Sequence, residues 1–188
     1  AEDYDDDGNG FKDDLHGWDF VNQTGRIGDW NGHGTHCAGI AAAVGGNGIG
    51  IVGANPDALI MPVTVMQSDG TGDVATIIKG IDYAVANGAD IISMSFGSYG
   101  ESKAEEQALG RAYQKAVLVA AAGNDGKCLN HEHPKEGQDK PMPMYPASYT
   151  FVLGVQAMNG EGNITDWSNY DDNGPTYSAW GEDKLYNY

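Results

Sequence analysis

Apolar residues recur at helical spacing over residues 73–87, at Val74, Ile77, Ile78, Ile81, Ala84 and Val85. This spacing predicts a helix with one buried face, and Gly88 fits its C-terminal cap. Residues 58–66 are a short, β-prone apolar run and predict a buried strand. Residues 90–94, 117–122 and 150–158 read the same way, and residues 102–116 predict a second helix. An apolar stretch at residues 38–44 predicts a further helix, followed by a glycine-rich turn at 45–50. Strand and helix alternate, so the strands are expected to be parallel, with right-handed crossovers. The fold class is therefore α/β, a parallel sheet flanked by helices. In such a sheet the functional site lies beyond the carboxyl ends of the strands. Residues 124–148 form a polar, proline-containing loop of a length usual for functional segments. The pattern holds no internal repeat and no second domain.

Composition narrows this picture. A chain of 188 residues can enclose one real core. Its 28 glycines suit a loop-rich α/β domain better than a helical bundle. No apolar run is long enough to predict a membrane span. The net charge of −17 repels a phosphate backbone and argues against a nucleic-acid partner. The chain has no signal-peptide pattern at Ala1, and its start is expected to be internal or processed. Cys37 is expected to be a buried thiol in the apolar helix and Cys128 to lie in a polar loop. Two cysteines make no disulfide framework, and a bond between them stays open.

Acidic residues cluster at the start, and their spacing has chemical content. Asp3, Asp5 and Asp7 alternate, Gly8 follows, then Asn9, with Asp14 at the twelfth position of the run. That is the register of an EF-hand-like calcium loop, with Gly8 at the sharp turn and Asn9 offering its carbonyl. The plainer alternative is a solvated acidic loop. A second candidate is residues 31–40, Asn-Gly-His-Gly-Thr-His-Cys-Ala-Gly-Ile. Gly32 and Gly34 let other segments approach the His33 imidazole closely. His33 and His36 are three apart and could share a helix face. A transition-metal site would need a third ligand, such as His131 or His133. Otherwise His36 is expected in the core, and His16, His131 and His133 in exposed loops.

Three segments carry a family resemblance. Residues 31–40, the strand end Ser93-Met94-Ser95-Phe96-Gly97, and Ala120-Ala121-Ala122-Gly123-Asn124-Asp125-Gly126 resemble the subtilisin-like serine proteases, the subtilases. The histidine motif has the cysteine-bearing form of the thermitase and proteinase K branches. Tyr145-Pro146-Ala147 and Asp166-Trp167-Ser168-Asn169-Tyr170 also fit the family. The resemblance implies a subtilisin-like fold that hydrolyses peptide bonds, with His33 as general base. It implies that Asn124 donates its amide to the developing oxyanion; taken alone, Gly-Asn-Asp-Gly is also an ordinary turn. Ser95, Phe96 and Gly97 would form one edge of the groove, where an extended substrate peptide adds as a strand. Ala122 and Gly123 would line the groove opposite, with Gly97 and Gly123 leaving room for a substrate side chain. A second calcium site is implied at Gly45, Asn47, Ile49 and Ile51, in competition with the first for Asp14.

The family's Asp and Ser motifs are absent from the sequence. No acidic residue upstream of His33 is expected to follow an apolar strand, and no serine has the nucleophile's context; Ser95 and Ser98 lie in the groove-edge segment. Residues 1–188 are thus expected to be the incomplete, central part of one peptidase domain. Residues 1–14 would be its calcium loop and 15–188 its core. The resemblance further implies a secreted enzyme, calcium as cofactor, protein or peptide substrates, and as partners a pro-segment or the rest of the catalytic domain. The alternative is a catalytically inactive domain of the same fold that binds calcium or peptide.

Overall fold

A computed structural model of the protein describes residues 4–129, 142–171 and 185–187. The chain forms two compact units, Ala1–Ala84 and Val85–Tyr188.

In the first unit, β1 (Trp18–Asp19) pairs in parallel with β2 (Val63–Thr64), Trp18 opposite Val63. Helix α1 is His33–Ala42, and α2 is Val74–Ala86, whose last two residues belong to the second unit. Helix α2 buries Ile77, Ile81 and Ala84, as its spacing predicts, while Val74 stays exposed. Asp73 caps its start through the Thr76 N–H (3.0 Å) and hydroxyl (2.6 Å). Gly88 ends it at φ +79°, donating to the Val85 carbonyl. Gly80 lets α2 lie directly on β2, because a Cβ there would overlap the Val65 side chain. An aromatic cluster completes the core. Phe11 packs edge-on against Trp18, Phe20 and Tyr83 at centroid distances of 5.0, 5.5 and 4.9 Å, each such pair contributing about 0.5–1.5 kcal/mol beyond area burial.

Two expectations change here. The strand expected over 58–66 is only Val63–Thr64, and Leu59 is 98% exposed. Its partner β1 is two residues long, so the flanking apolar residues have no ladder to join. Asp19 also lies in a strand, contrary to the expectation for acidic residues upstream of His33. It is buried, and its carboxylate accepts from the Val21 and Asn22 N–H groups (both 2.8 Å) and the Asn22 side chain (2.8 Å). Asp19 therefore holds the turn after β1.

In the second unit, β3 (Ile91–Met94), β4 (Val117–Ala121), β5 (Leu153–Gln156) and β6 (Leu185–Asn187) form one sheet in that order. All pairs are parallel. Helix α3, Lys103–Ala112, is capped by Ser102, whose side chain accepts from the Glu105 N–H. It buries Ala108, Leu109 and Ala112. Along β4, Leu118 and Ala120 are buried while Val117 is exposed, the alternation of a strand with one covered face. The expected elements at 102–116 and 150–158 are present but shorter.

Candidate active site

Helix α1 starts at His33, five residues before the apolar stretch that predicts it, and the reason is Asp29. Gly32 turns the chain into the helix at φ 92°, a conformation open to glycine without strain. The Asp29 carboxylate closes that turn. Its Oδ1 accepts from the N–H groups of Gly32 (2.7 Å) and Asn31 (3.1 Å), and its Oδ2 from the N–H (2.8 Å) and hydroxyl (2.7 Å) of Thr35. These bonds satisfy donors that the first turn of a helix leaves unpaired. The Thr35 hydroxyl first, then the Gly32 and Thr35 N–H groups, hold the Asp29 carboxyl well below its ordinary 3.8. The cap's contribution is complete above that ordinary value and is lost only as pH falls through the lowered one. Asn31 ties the same turn to the Ser68 carbonyl at 2.9 Å.

His33 is thus the first residue of a capped helix, exposed, with Nε2 3.8 Å from Cys37 Sγ one turn on. His36 is exposed rather than in the core, because α1 buries none of its residues. Cys37, expected to be buried, is half-buried, Cys128 is buried, and the two are not bonded to each other. The Cys128 backbone bridges to that of Tyr170, which is buried too. His16 is exposed, as expected. His131 and His133 lie outside the described residues. Among the described residues, no three His, Cys, Asp or Glu side chains gather as a metal group.

The second unit carries the other candidate residues at the carboxyl ends of β3 and β4, where a parallel sheet places its site. Beyond β3, Ser95 and Phe96 are half-buried and Gly97 exposed. Ser98 then exchanges two backbone hydrogen bonds with Tyr145, at 2.9 and 2.8 Å. A Cβ on Gly97 would lie 2.8 Å from the Tyr145 carbonyl oxygen and 2.9 Å from Met144 Sδ. Beyond β4, Ala122 is buried, and Gly123 has φ +106°. A Cβ on Gly123 would overlap Asn169 Nδ2 and lie 2.6 Å from Met144 Cε. The Cβ direction of both glycines is therefore filled by the protein itself, so neither position admits a side chain without displacing its neighbours. Gly123→Ala should destabilise the full-length protein by roughly 2–4 kcal/mol, combining left-handed strain and overpacking. Urea unfolding measures this, and an unchanged midpoint would refute the packing argument.

Asn124 is exposed at the apex of this loop. Asn169, a segment away in sequence and 0% exposed, bonds to the residues on either side of it. Tyr99 lies over the same loop. Its hydroxyl donates to Asp125 Oδ2 and accepts from Asn169 Nδ2 (3.2 Å), and the Lys127 ammonium sits 5.0 Å from its ring centroid. Burial first, then the Asp125 hydrogen bond, raises the Tyr99 hydroxyl above its ordinary range. The roles of Asp29, Tyr99 and Asn169 were not read from sequence. For Asp29 a signal exists, an Asp just before a helix start; for the other two the partners are remote in sequence.

The acidic loop gathers carboxylates around the Asn9 side chain. Asp7 Oδ2 and Asp14 Oδ2 converge on one group, the Asn9 side-chain amide, at 3.1 and 3.0 Å. Asp5 accepts from the Gly8 and Gly10 N–H groups (both 2.8 Å), the Gly10 bond being the largest influence lowering its carboxyl pKa. Gly8 makes the turn at φ +75°. The Asn9 side chain donates through Nδ2, and its Oδ1 accepts from the Phe11 N–H at 2.8 Å. Asp14 also accepts from the Tyr83 hydroxyl at 2.7 Å, tying the loop to the aromatic core. Asp3 lies outside the described residues. In the second loop, Gly46, Gly48 and Gly50 all have positive φ, and Asn47 Oδ1 accepts from the Ile49 N–H at 2.9 Å. Carboxylates drawn together suit calcium chemically, with the Asn9 amide turned nitrogen-first toward them.

A histidine-led helix in the first unit and, in the second, a parallel sheet with an asparagine loop past its carboxyl edge define the class as a subtilisin-like α/β protein. The chain belongs to the subtilase family, whose family model matches residues 2–187. It is 39% identical over 155 residues to thermitase of Thermoactinomyces vulgaris, covering 82% of this chain and 51% of thermitase. It is 40% identical over 157 residues to the minor extracellular protease Epr of Bacillus subtilis (strain 168), covering 83% of this chain and 22% of Epr. The structure of the psychrophilic subtilisin-like protease Apa1 from the Antarctic psychrotroph Pseudoalteromonas sp. AS-11 resembles it with a TM-score of 0.66. That match has 29% identity and covers 87% of this chain and 36% of Apa1. The chain thus spans about half the length of thermitase and less of the other two.

Proposed function

We propose that residues 1–188 are the central part of a serine endopeptidase that hydrolyses peptide bonds in proteins. The observation that carries this reading is the histidine motif of a subtilase set at the capped start of α1. His33 acts as general base, taking the proton of a serine hydroxyl as that oxygen attacks the scissile carbonyl, then giving it to the leaving amine. Asn124 donates its side-chain amide to the carbonyl oxygen as it becomes an oxyanion. Ser95, Phe96 and Gly97 pair with extended substrate, and Ala122 and Gly123 flank the same groove. The Asp that orients the base and the serine nucleophile come from sequence outside these residues. Support for such a partner segment comes from the first unit: α1 buries nothing, and Ile40, Val44, Ile51 and Val52 are all exposed. Apolar surface of this kind marks a site of contact.

Fluorophosphonate labelling of the full-length protein, freed of any pro-segment and mapped by mass spectrometry, tests this reading. The adduct is expected on a serine outside residues 1–188. Folded, calcium-loaded protein that takes no label would establish the alternative, an inactive domain that binds calcium or peptide.

Calcium is the cofactor in this reading. Asp3, Asp5, Asp7, Asn9 and Asp14 hold one ion, and Gly45, Asn47, Ile49 and Ile51 a second. Asp14 serves only one of them, and its bond to Asn9 favours the first. The ion would neutralise the crowded carboxylates and stiffen both loops. At a hundredfold excess over Kd, calcium stabilises by about 2.7 kcal/mol. Excess chelator should therefore lower the melting temperature of the full-length protein by several degrees, and Asp7→Asn should blunt that response. Identical melting with and without chelator would remove both sites. Secretion follows the same reading, since millimolar calcium is an extracellular condition and one relative is named an extracellular protease. Detection of the mature protein only inside cells would reverse it.

A further inference from the structure

We propose that Asn169 is a positioning residue that fixes the loop bearing Asn124, so that the oxyanion donor is held in place before substrate arrives. The inference rests on the reading of Asn124 given above. A side-chain amide has two donor hydrogens and one oxygen able to accept twice, and Asn169 uses all four. Its Nδ2 donates to the Ala122 carbonyl (2.9 Å) and the Tyr99 hydroxyl (3.2 Å). Its Oδ1 accepts from the N–H groups of Asp125 and Lys127, both at 3.0 Å. Its backbone N–H donates to the Gly123 carbonyl at 2.9 Å.

These contacts enclose Asn124. The carbonyl before it, on Gly123, and the N–H after it, on Asp125, are both bonded to Asn169. Ala122 and Lys127 are fixed beyond them, so one buried residue determines the course of the chain from 122 to 127. Asn124 is left exposed between two anchored peptide groups. Asn169 is itself braced, since the Ser168 hydroxyl donates to its carbonyl (2.8 Å) and accepts from the Ala157 N–H (2.9 Å). The positive φ of Gly123 and its contact with Asn169 Nδ2 belong to the same arrangement, because a side chain at 123 would push the clamp off. An oxyanion donor is effective because it needs no reorganisation during reaction, and a misplacement of about 1 Å can cost about 100-fold.

The experiment is a double-mutant cycle on the full-length protein, measuring kcat and KM separately. Asn124→Ala alone reports on the oxyanion reading. Asn169→Ala alone is expected to lower kcat about 10- to 100-fold with KM nearly unchanged. The double variant is expected to be no slower than Asn124→Ala, since there is no donor left to misplace. An equal fall in kcat from Asn169→Ala in both backgrounds, or no fall in either, overturns the proposal. Wild-type kcat in Asn124→Ala identifies a failure of the oxyanion reading itself, and the proposal falls with it. If Asn169→Ala does not fold, Tyr99→Phe removes one partner of Nδ2, together with the Tyr99 bond to Asp125 on the same loop, and keeps the other three bonds of the Asn169 side chain. It is expected to lower kcat several-fold only when Asn124 is present, and an equal effect in both backgrounds overturns the proposal.

Discussion

His33→Ala in the full-length protein should lower kcat on the order of a millionfold while leaving the protein folded. That size comes from loss of the base in subtilisin's own triad, where the groups act as a unit. Without an imidazole, the serine hydroxyl has no group to take its proton as it attacks, and the leaving amine has none to protonate it. The substitution is mild for the fold. His33 is exposed at the first position of α1, where no core contact depends on it, and alanine is the best helix former. The cap is built by Asp29, Gly32 and Thr35 and does not involve the imidazole. Melting temperature and its response to calcium should therefore match wild type. Hydrolysis of a chromogenic peptide under saturation measures the effect. Turnover within tenfold of wild type would exclude His33 as the general base.

What the sequence revealed and what it hid separate along physical lines. Helix α2 was legible because its apolar positions repeat every three to four residues, and Gly88 marks its end. The parallel sheet was legible because strand and helix alternate. The start of α1 was not, because apolar periodicity begins at 38 while the helix is initiated by a carboxylate at 29 and a glycine at 32. The strand expected at 58–66 is only two residues long, since β propensity says nothing about how long a partner strand will be. Cys128 lies in a polar stretch of sequence, and its burial beside Tyr170, 42 residues on, has no local signal. The candidate site divides the same way. His33, Asn124 and the groove segments sit in short contiguous motifs and can be seen in one line of sequence. Asn169 acts across 42 to 47 residues through hydrogen bonds that have no period. Such a residue becomes visible only when its partners are brought beside it.

Asn124→Ala should lower kcat by about 100- to 1,000-fold, a loss of about 2.7–4 kcal/mol of transition-state stabilisation, with little change in KM. That size is borrowed from an oxyanion donor in subtilisin itself. The asymmetry between kcat and KM follows from what the amide binds. A ground-state carbonyl oxygen carries a partial charge and lies away from the donor, whereas the tetrahedral oxyanion carries a full charge and moves toward it. An interaction made chiefly in the transition state affects kcat and leaves KM alone. Asn124 is exposed, so truncating it leaves no buried group unpaired. The loop should keep its course, because Asn169 bonds to the backbone at 122, 123, 125 and 127 and not to the Asn124 side chain. Asn124→Asp separates this electrostatic account from one based on shape. The carboxylate has the same size but offers no donor and repels the oxyanion, so kcat should fall at least as far as in Asn124→Ala. A peptide aldehyde, which forms a tetrahedral adduct, should lose affinity in both variants, while a plain substrate-like peptide should not. If the aspartate variant kept wild-type kcat, Asn124 would be a turn residue and no more.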